Sequence, residues 1–482
     1  MTRKQCDTLL INAELFDGLG SPPVTGGVAI GGGQLLAIGD VSDWSAPDTR
    51  DLDGLCLAPG FIDVHTHDDL AVLNDSAMEP KITQGVTTVI VGNCGISLAP
   101  YKHPPKLVPP LGLLGDTDDY RFGSFAAYRR AVDDAGVAVN VAALAGHGTL
   151  RAMVLADTDR PASPAEVDAM RGHLNEALTA GVLGLSTGLA YPVAKAAPTE
   201  EIVALSQELA AFPGALYVTH MRDERDGVEE AVGETIGIGR QAGVPVVISH
   251  HKCIGKQNYG RSVRTLSMID KALRHQDIAM DVYPYEASST VLLPELTRHA
   301  ERILVINSRP HPEFNGMELS RVAEQMGCDD EEAARRLSPA MGVYFQMSPE
   351  DIRRIMSHPR TMIGSDGIPG PQSHPRLWGT FPRVLGRYVR EDGVLPLEEA
   401  IRKMTSLPAQ VFGMARRGRL QTGFSADLVA FNAETVLDLA DYDTPDRPST
   451  GIEHVFVNGR PVLTDGRVTG TRGGRFLARG AI

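Results

Sequence analysis

His65-Thr66-His67 closes the apolar run Leu57-Ala58-Pro59-Gly60-Phe61-Ile62-Asp63-Val64. Side chains on a β-strand alternate with a period of two, so both imidazoles point to one face. Two nitrogen donors at one strand end suit a zinc-type ion. The pair is not isolated. Cys94 follows Val89-Ile90-Val91-Gly92-Asn93, and His220 follows Leu216-Tyr217-Val218-Thr219. His250 follows Val246-Val247-Ile248-Ser249, and Asp366 follows Met362-Ile363-Gly364-Ser365. A single His-x-His would serve equally well as a strand end with one solvated ring. Repetition of the pattern along the chain is what favours ligation.

The elements that must carry these residues alternate. Strand-like runs fall at about 58–65, 86–92, 138–144, 182–188, 215–220, 244–250, 278–284 and 361–365. Helical segments lie between them. Ser163-Pro164-Ala165-Glu166 is a capping box with proline at the first helical position, and it opens a helix through Val167, Met170, Leu174 and Leu178. The stretches 197–211, 227–242 and 262–274 repeat the same spacing. Eight strands with intervening helices predict an α/β fold, a (β/α)8 barrel spanning 58–413, whose active site belongs at the C-terminal strand ends where the candidate ligands sit. Residues 1–57 and 414–482 read instead as short strands and glycine turns. Neither end has enough strands for its own core, so the economical arrangement is one small β-sandwich built from both termini. About sixty residues, 286–346, interrupt the barrel rhythm after strand seven. Long insertions of this kind are commonly functional, and its apolar content predicts a folded lid over the barrel mouth.

Composition narrows the function classes. The chain has 482 residues, 43% hydrophobic and 22% charged, with a formal net charge of −14. That balance offers no basic face for nucleic acid, and it requires any anionic substrate to be held by a few local cations. Five cysteines (Cys6, Cys56, Cys94, Cys253, Cys328) suit a reducing compartment rather than a disulfide framework. Leu9-Leu10-Ile11 is too short for a signal-peptide core, and no run reaches the roughly 18 apolar residues that span a bilayer. The expectation is a soluble, cytoplasmic protein with a small-molecule substrate and no membrane partner.

Pro59 to His67, Gly85-Val86-Thr87-Thr88 and the late Asp366 resemble the amidohydrolase superfamily. Gly92-Asn93-Cys94-Gly95, Thr219-His220-Met221-Arg222, Ser249-His250-His251-Lys252, Tyr283-Pro284-Tyr285, Gly364-Ser365-Asp366-Gly367 and His374 to Gly379 narrow the resemblance to the D-aminoacylases, which deacylate N-acyl-D-amino acids. The resemblance covers essentially the whole chain. It implies a tight zinc site from Cys94, His220 and His250, and a second, weaker metal position from His65, His67 and Asp366, bridged through Cys94. It implies Asp366 as general base and Lys252, Tyr283 and Arg376 as binders of the substrate carboxylate. Tyr191 and Ser289 are further candidates for substrate contact. Related hydrolases bridge two metals with a lysine on strand four; Gly184 to Leu189 offers none, and Cys94 stands in its place. An arginine follows the Pro-Glu pair of the insertion in family members that take acidic D-amino acids. Leu296 occupies that position here, which implies a preference for apolar side chains.

Two other functions stay open on sequence. A cyclic-amide hydrolase, of the hydantoinase or dihydroorotase kind, could use the same scaffold. A catalytically silent barrel could serve as a scaffold protein, although the full candidate ligand set argues against loss of chemistry.

Overall fold

The computed structural model describes residues 3–370 and 373–480. Residues 1–2, 371–372 and 481–482, which include the outer ends of the two terminal segments expected to form the sandwich, lie outside the described residues.

Eight parallel strands form the centre among the described residues: Phe61–Asp63, Val86–Val91, Asn140–Ala143 continued by Ala145–Gly146, Gly184–Gly188, Leu216–His220, Val246–Ile248, Ile278–Val282 and Thr361–Ile363. Each pairs with the next, and the ring closes where Thr66 bridges Gly367 and Asp366 N–H donates to the His65 carbonyl at 2.7 Å. Strands covered on both faces read as unbroken apolar or β-branched runs. Val86–Val91 is the clearest case, with every residue buried. Ile62, Ile90, Leu216, Val218, Val247 and Met362 pack inside the ring.

The helices follow the expected signals. Ser163 caps Pro164–Ala180, with the Glu166 carboxylate accepting from the Ser163 N–H at 2.8 Å. Thr199–Ser206 runs on into a 3-10 turn, Gln207–Ala211, and Val228–Ala242 and Ser262–Leu273 complete the segments predicted beside the central strands.

Strand one differs from its prediction. The run 58–65 is not one strand: Cys56–Pro59 pairs in an outer sheet, and only Phe61–Asp63 joins the barrel. Gly60 marks the crossing, because a Cβ there would lie 2.2 Å from the Thr87 side chain. His65 and His67 therefore sit beyond the strand, on the loop that closes the ring.

Both chain ends do meet in one nine-stranded sheet. Cys56–Pro59 pairs with Glu14 and Leu15 on one side and Leu428–Phe431 on the other. This strand spans the boundary expected at 57–58. Leu10, Val28, Leu57, Leu428 and Phe456 form the apolar centre beneath it. The insertion is folded: Ala287–Val291, Met341–Phe345 and Arg302–Ile306 make a three-stranded antiparallel sheet, and Leu319–Met326 and Asp330–Leu337 pack on it through Val305, Val322, Leu337 and Tyr344. The charged stretch from Met317 to Arg336 forms two helices, separated at Gly327, which takes φ +65. No helix among the described residues is long and apolar enough to cross a membrane.

Gly92, just past strand two, has φ +80, and a Cβ there would lie 2.1 Å from the Leu144 carbonyl oxygen. Gly92→Ala should therefore cost about 3 kcal/mol through backbone strain and collision. Urea unfolding reads this directly; an unchanged midpoint would show that strands two and three relax without cost.

Candidate metal centre and its cavity

Cys94 is the hub. Its Sγ lies 3.2 Å from His65 Nε2, 3.4 Å from His250 Nε2 and 3.8 Å from His220 Nδ1. Asp366 Oδ1 is 3.4 Å from His65 Nε2 and 3.2 Å from His67 Nε2. One donor atom each from His65, Cys94, His250 and Asp366 falls within 4.8 Å of the others, and the same holds for His220, Glu224 and His250. Zn–S near 2.3 Å and Zn–N near 2.0–2.1 Å at a tetrahedral angle put sulfur and nitrogen about 3.5 Å apart. The observed sulfur–nitrogen separations bracket that value, so the donor set fits zinc in both spacing and softness.

The backbone is bent to make this possible. Cys94, His250 and Asp366, at the ends of strands two, six and eight, all adopt left-handed conformations, with φ of +53, +34 and +50. Non-glycine residues avoid this region, and residues held there cluster at functional sites. The turn re-aims each side chain from the strand direction toward the centre.

Charge is balanced within the cluster. Burial pushes the Cys94 thiol up, but the imidazoles of His65 and His250, with hydrogen bonds from His220 and His250, hold it well below the ordinary thiol range. It is a thiolate. Burial also disfavours the Asp366 carboxylate, yet Arg376 and the neighbouring imidazoles hold it well below the usual carboxylate range. His67 is depressed by burial and raised, on balance, to about 9 by Asp366 and Cys94.

Glu224 and Asp281 belong to this centre and were not singled out from sequence. Glu224 Oε1 lies 3.1 Å from His250 Nδ1 and 2.8 Å from Lys252 Nζ, and Oε2 lies 3.7 Å from His220 Nε2. It holds the outer nitrogens of two candidate ligands, the arrangement by which carboxylates orient metal-bound histidines. In sequence it is hidden in Asp223-Glu224-Arg225-Asp226, which reads as a solvated charge run. Asp281 Oδ1 is 3.4 Å from His65 Nδ1 and accepts from the His250 N–H at 2.9 Å. A signal existed there: an acid inside the buried strand Ile278–Val282. Beneath both, Lys81 Nζ bonds Asp63 at 2.8 Å and Ser365 Oγ at 3.1 Å, tying strand one to strand eight.

A cavity opens onto His220, His250 and Asp366. Lys252, Tyr283, Tyr191, Ser289 and Leu296 all line it. Lys252 is engaged by Glu224, Ser289 Oγ is buried without a partner, and Tyr191 Oη is 3.3 Å from Thr290. Arg376 stands behind the wall. It is 1% exposed, its Nη2 is 3.0 Å from Asp366 Oδ2, and its Nε and Nη1 have no partner. The Tyr283 ring lies between two cations, with Arg376 at 4.8 Å and Lys252 at 5.5 Å from its centroid. From the insertion, Leu293, Leu296, Tyr344 and Gln346 cover the cavity.

Two histidines lie elsewhere. His147 begins the helix His147–Val154, fully buried, with Nε2 2.9 Å from Glu201. His251 turns away to Thr265 at 2.8 Å.

Fold and site together define a metal-dependent hydrolase barrel, and the chain belongs to the amidohydrolase family, whose model matches residues 48–463. Within it the chain is a member of the D-aminoacylase group. It is 47% identical to a D-aminoacylase of Alcaligenes xylosoxydans xylosoxydans over 98% of each chain. It is 46% identical to an N-acyl-D-glutamate deacylase of the same organism, over 99% of this chain and 98% of the other. The structure of an N-acyl-D-glutamate deacylase from Bordetella bronchiseptica, complexed with zinc and a phosphonate mimic of the tetrahedral intermediate, superposes with a TM-score of 0.94 at 43% identity, covering 98% of this chain and all of that one.

Cys94→Ala should lose bound metal, because the hub thiolate disappears from between three imidazoles. His67→Asn, outside the closest donor group, should retain most of it. Metal analysis of the purified variants decides; full zinc content in Cys94→Ala would refute the hub.

Proposed function

We propose that this protein hydrolyses the amide bond of N-acyl-D-amino acids in a zinc-dependent reaction, releasing a carboxylate and a free D-amino acid. The observation that carries this reading is one cavity that joins a Cys94–His220–His250 donor set and Asp366 to a cluster of cations and hydroxyls suited to a carboxylate. Near full-length similarity to enzymes of this activity supports it.

Cys94, His220 and His250 hold the zinc, and His65 and His67 with Asp366 frame a second, weaker position. Zinc supplies Lewis acidity toward the scissile carbonyl and toward water. Asp366 takes the proton from the attacking water and returns it to the departing amine. Arg376, behind the cavity wall, keeps that carboxylate ionised and aimed. Lys252, Tyr283 and Ser289 form the carboxylate site, and Tyr191 closes the opposite wall. Glu224 orients His220 and His250. Leu296 forms an apolar wall against the substrate side chain. Carbonyl, carboxylate and side chain are then fixed at three points, which is the minimum that distinguishes one hand of a chiral carbon from the other.

Asp366→Asn is expected to keep tight metal while losing about 10²–10⁴-fold in kcat, the usual cost of removing a general acid/base. Turnover near that of the unmodified protein would reduce Asp366 to a ligand. Leu296→Arg should move selectivity toward acidic D-substrates by about 1–3 kcal/mol if the new charge is well paired. The measurement is kcat/KM for N-acetyl-D-leucine, N-acetyl-D-glutamate and their L-forms in both proteins. Equal hydrolysis of the L-forms by the unmodified protein would sink the assignment of substrate hand.

A further inference from the structure

The substrate cavity has a second charged wall that the reaction as described leaves idle. Lys252, Tyr283 and Ser289 come from the loops after strands six and seven, with Arg376 behind them after strand eight. Tyr191, Pro192 and Lys195 come from the loop after strand four, and Arg225 from the loop after strand five. Strand four faces strand eight across the centre formed by Cys94, His220 and His250, while strand five adjoins strand six, where Glu224, next to Arg225, bonds Lys252. A substrate whose carbonyl sits at that centre and whose carboxylate reaches strands six to eight must extend its acyl group toward strands four and five.

That wall is cationic and unsatisfied. Arg225 is half-buried, and its Nε is fully buried without a hydrogen-bond partner. Lys195 is exposed at the cavity rim. The neighbouring Arg222 is consumed by Glu234 at 2.8 Å, whereas Lys195 and Arg225 form no ion pair among the described residues. The acids facing the cavity do not change this. Glu224 is matched by Lys252, and Asp366 by Arg376. Glu295, exposed on the insertion, is the one remaining acid against two remaining cations. A buried guanidinium nitrogen without an acceptor costs free energy, and an arginine is well shaped to take a carboxylate. In a chain of net charge −14, a wall of this sign is a local feature rather than a general one.

We propose that Lys195 and Arg225 form an acyl-group subsite for a carboxylate, so that N-carboxyacyl-D-amino acids such as N-succinyl- and N-glutaryl-D-amino acids are substrates. The inference rests on the hydrolysis of N-acyl-D-amino acids proposed above and extends it to the acyl half of the substrate. Water adds across the amide bond: its oxygen joins the acyl carbon, the C–N bond breaks, and a proton passes to the amine. The products are a dicarboxylate and the free D-amino acid. No oxidant or co-reactant is needed.

The test compares kcat/KM for N-succinyl-D-leucine and N-acetyl-D-leucine in the zinc-loaded protein, in Arg225→Gln, in Lys195→Gln and in the charge-retaining Arg225→Lys, each checked for folding by its thermal midpoint. In the unmodified protein the succinyl substrate should equal or exceed the acetyl one, with a ratio that falls as salt is raised. Arg225→Gln should lower the succinyl-to-acetyl ratio at least tenfold, Lys195→Gln about threefold, and Arg225→Lys should restore part of the loss. A ratio that stays constant across all four proteins, or a succinyl substrate that is refused while the acetyl one is hydrolysed, overturns the subsite and leaves the deacylase reading intact. Failure to hydrolyse either substrate overturns both.

Discussion

A single thiolate holds this centre together. Three imidazoles approach Cys94 Sγ within 3.8 Å, and their ring centroids come as close as 4.6 Å, edge to face, between His220 and His250. Donors packed this tightly in a dry interior need a negative charge among them, since buried ions are tolerated only when paired. Cys94 supplies it at the middle, while Asp366, Glu224 and Asp281 supply it around the edge. Removing the central charge would leave the outer carboxylates holding histidines that no longer point at anything. The left-handed turns at Cys94, His250 and Asp366 follow from the same demand, for they direct three side chains to one point from three separate strands.

The rigidity of the surround follows as well. Lys81, buried with Asp63 and Asp68, braces the first strand against the eighth through Ser365. That brace lies under the closing bridge at Thr66 and Gly367, the place where the two histidines of the first loop come nearest to Asp366. Catalytic geometry of this kind must be held to fractions of an ångström, and buried ion pairs below the site serve that end better than loop packing would.

Much of the plan could be read from residue order. Continuous apolar runs exposed the barrel strands, and a capping box located a helix to within a residue. Metal-binding residue types at strand ends identified positions that meet in space. What escaped has physical causes. Strand one was drawn too long because Cys56 to Val64 is apolar apart from Asp63, and hydrophobicity does not say which of two sheets a residue joins. Glu224 was overlooked because an acid among charged neighbours looks solvated until the fold turns it inward. Nothing in the sequence around His147 points to Glu201, and only that tertiary contact shows a buried helix start. Long-range pairings of this sort have no local signature.

The insertion between strands seven and eight has its own apolar centre, built on Val305, Val322, Leu337 and Tyr344, yet Leu293, Leu296 and Tyr344 also face the substrate cavity. The segment touches the barrel at a few points, among them Tyr191 with Thr290 and Arg376 with the Ser289 carbonyl. Changes within its own apolar centre, away from those points, can accumulate without touching the metal cage beneath it. The scaffold is arranged so that what it recognises can drift while what it does stays put.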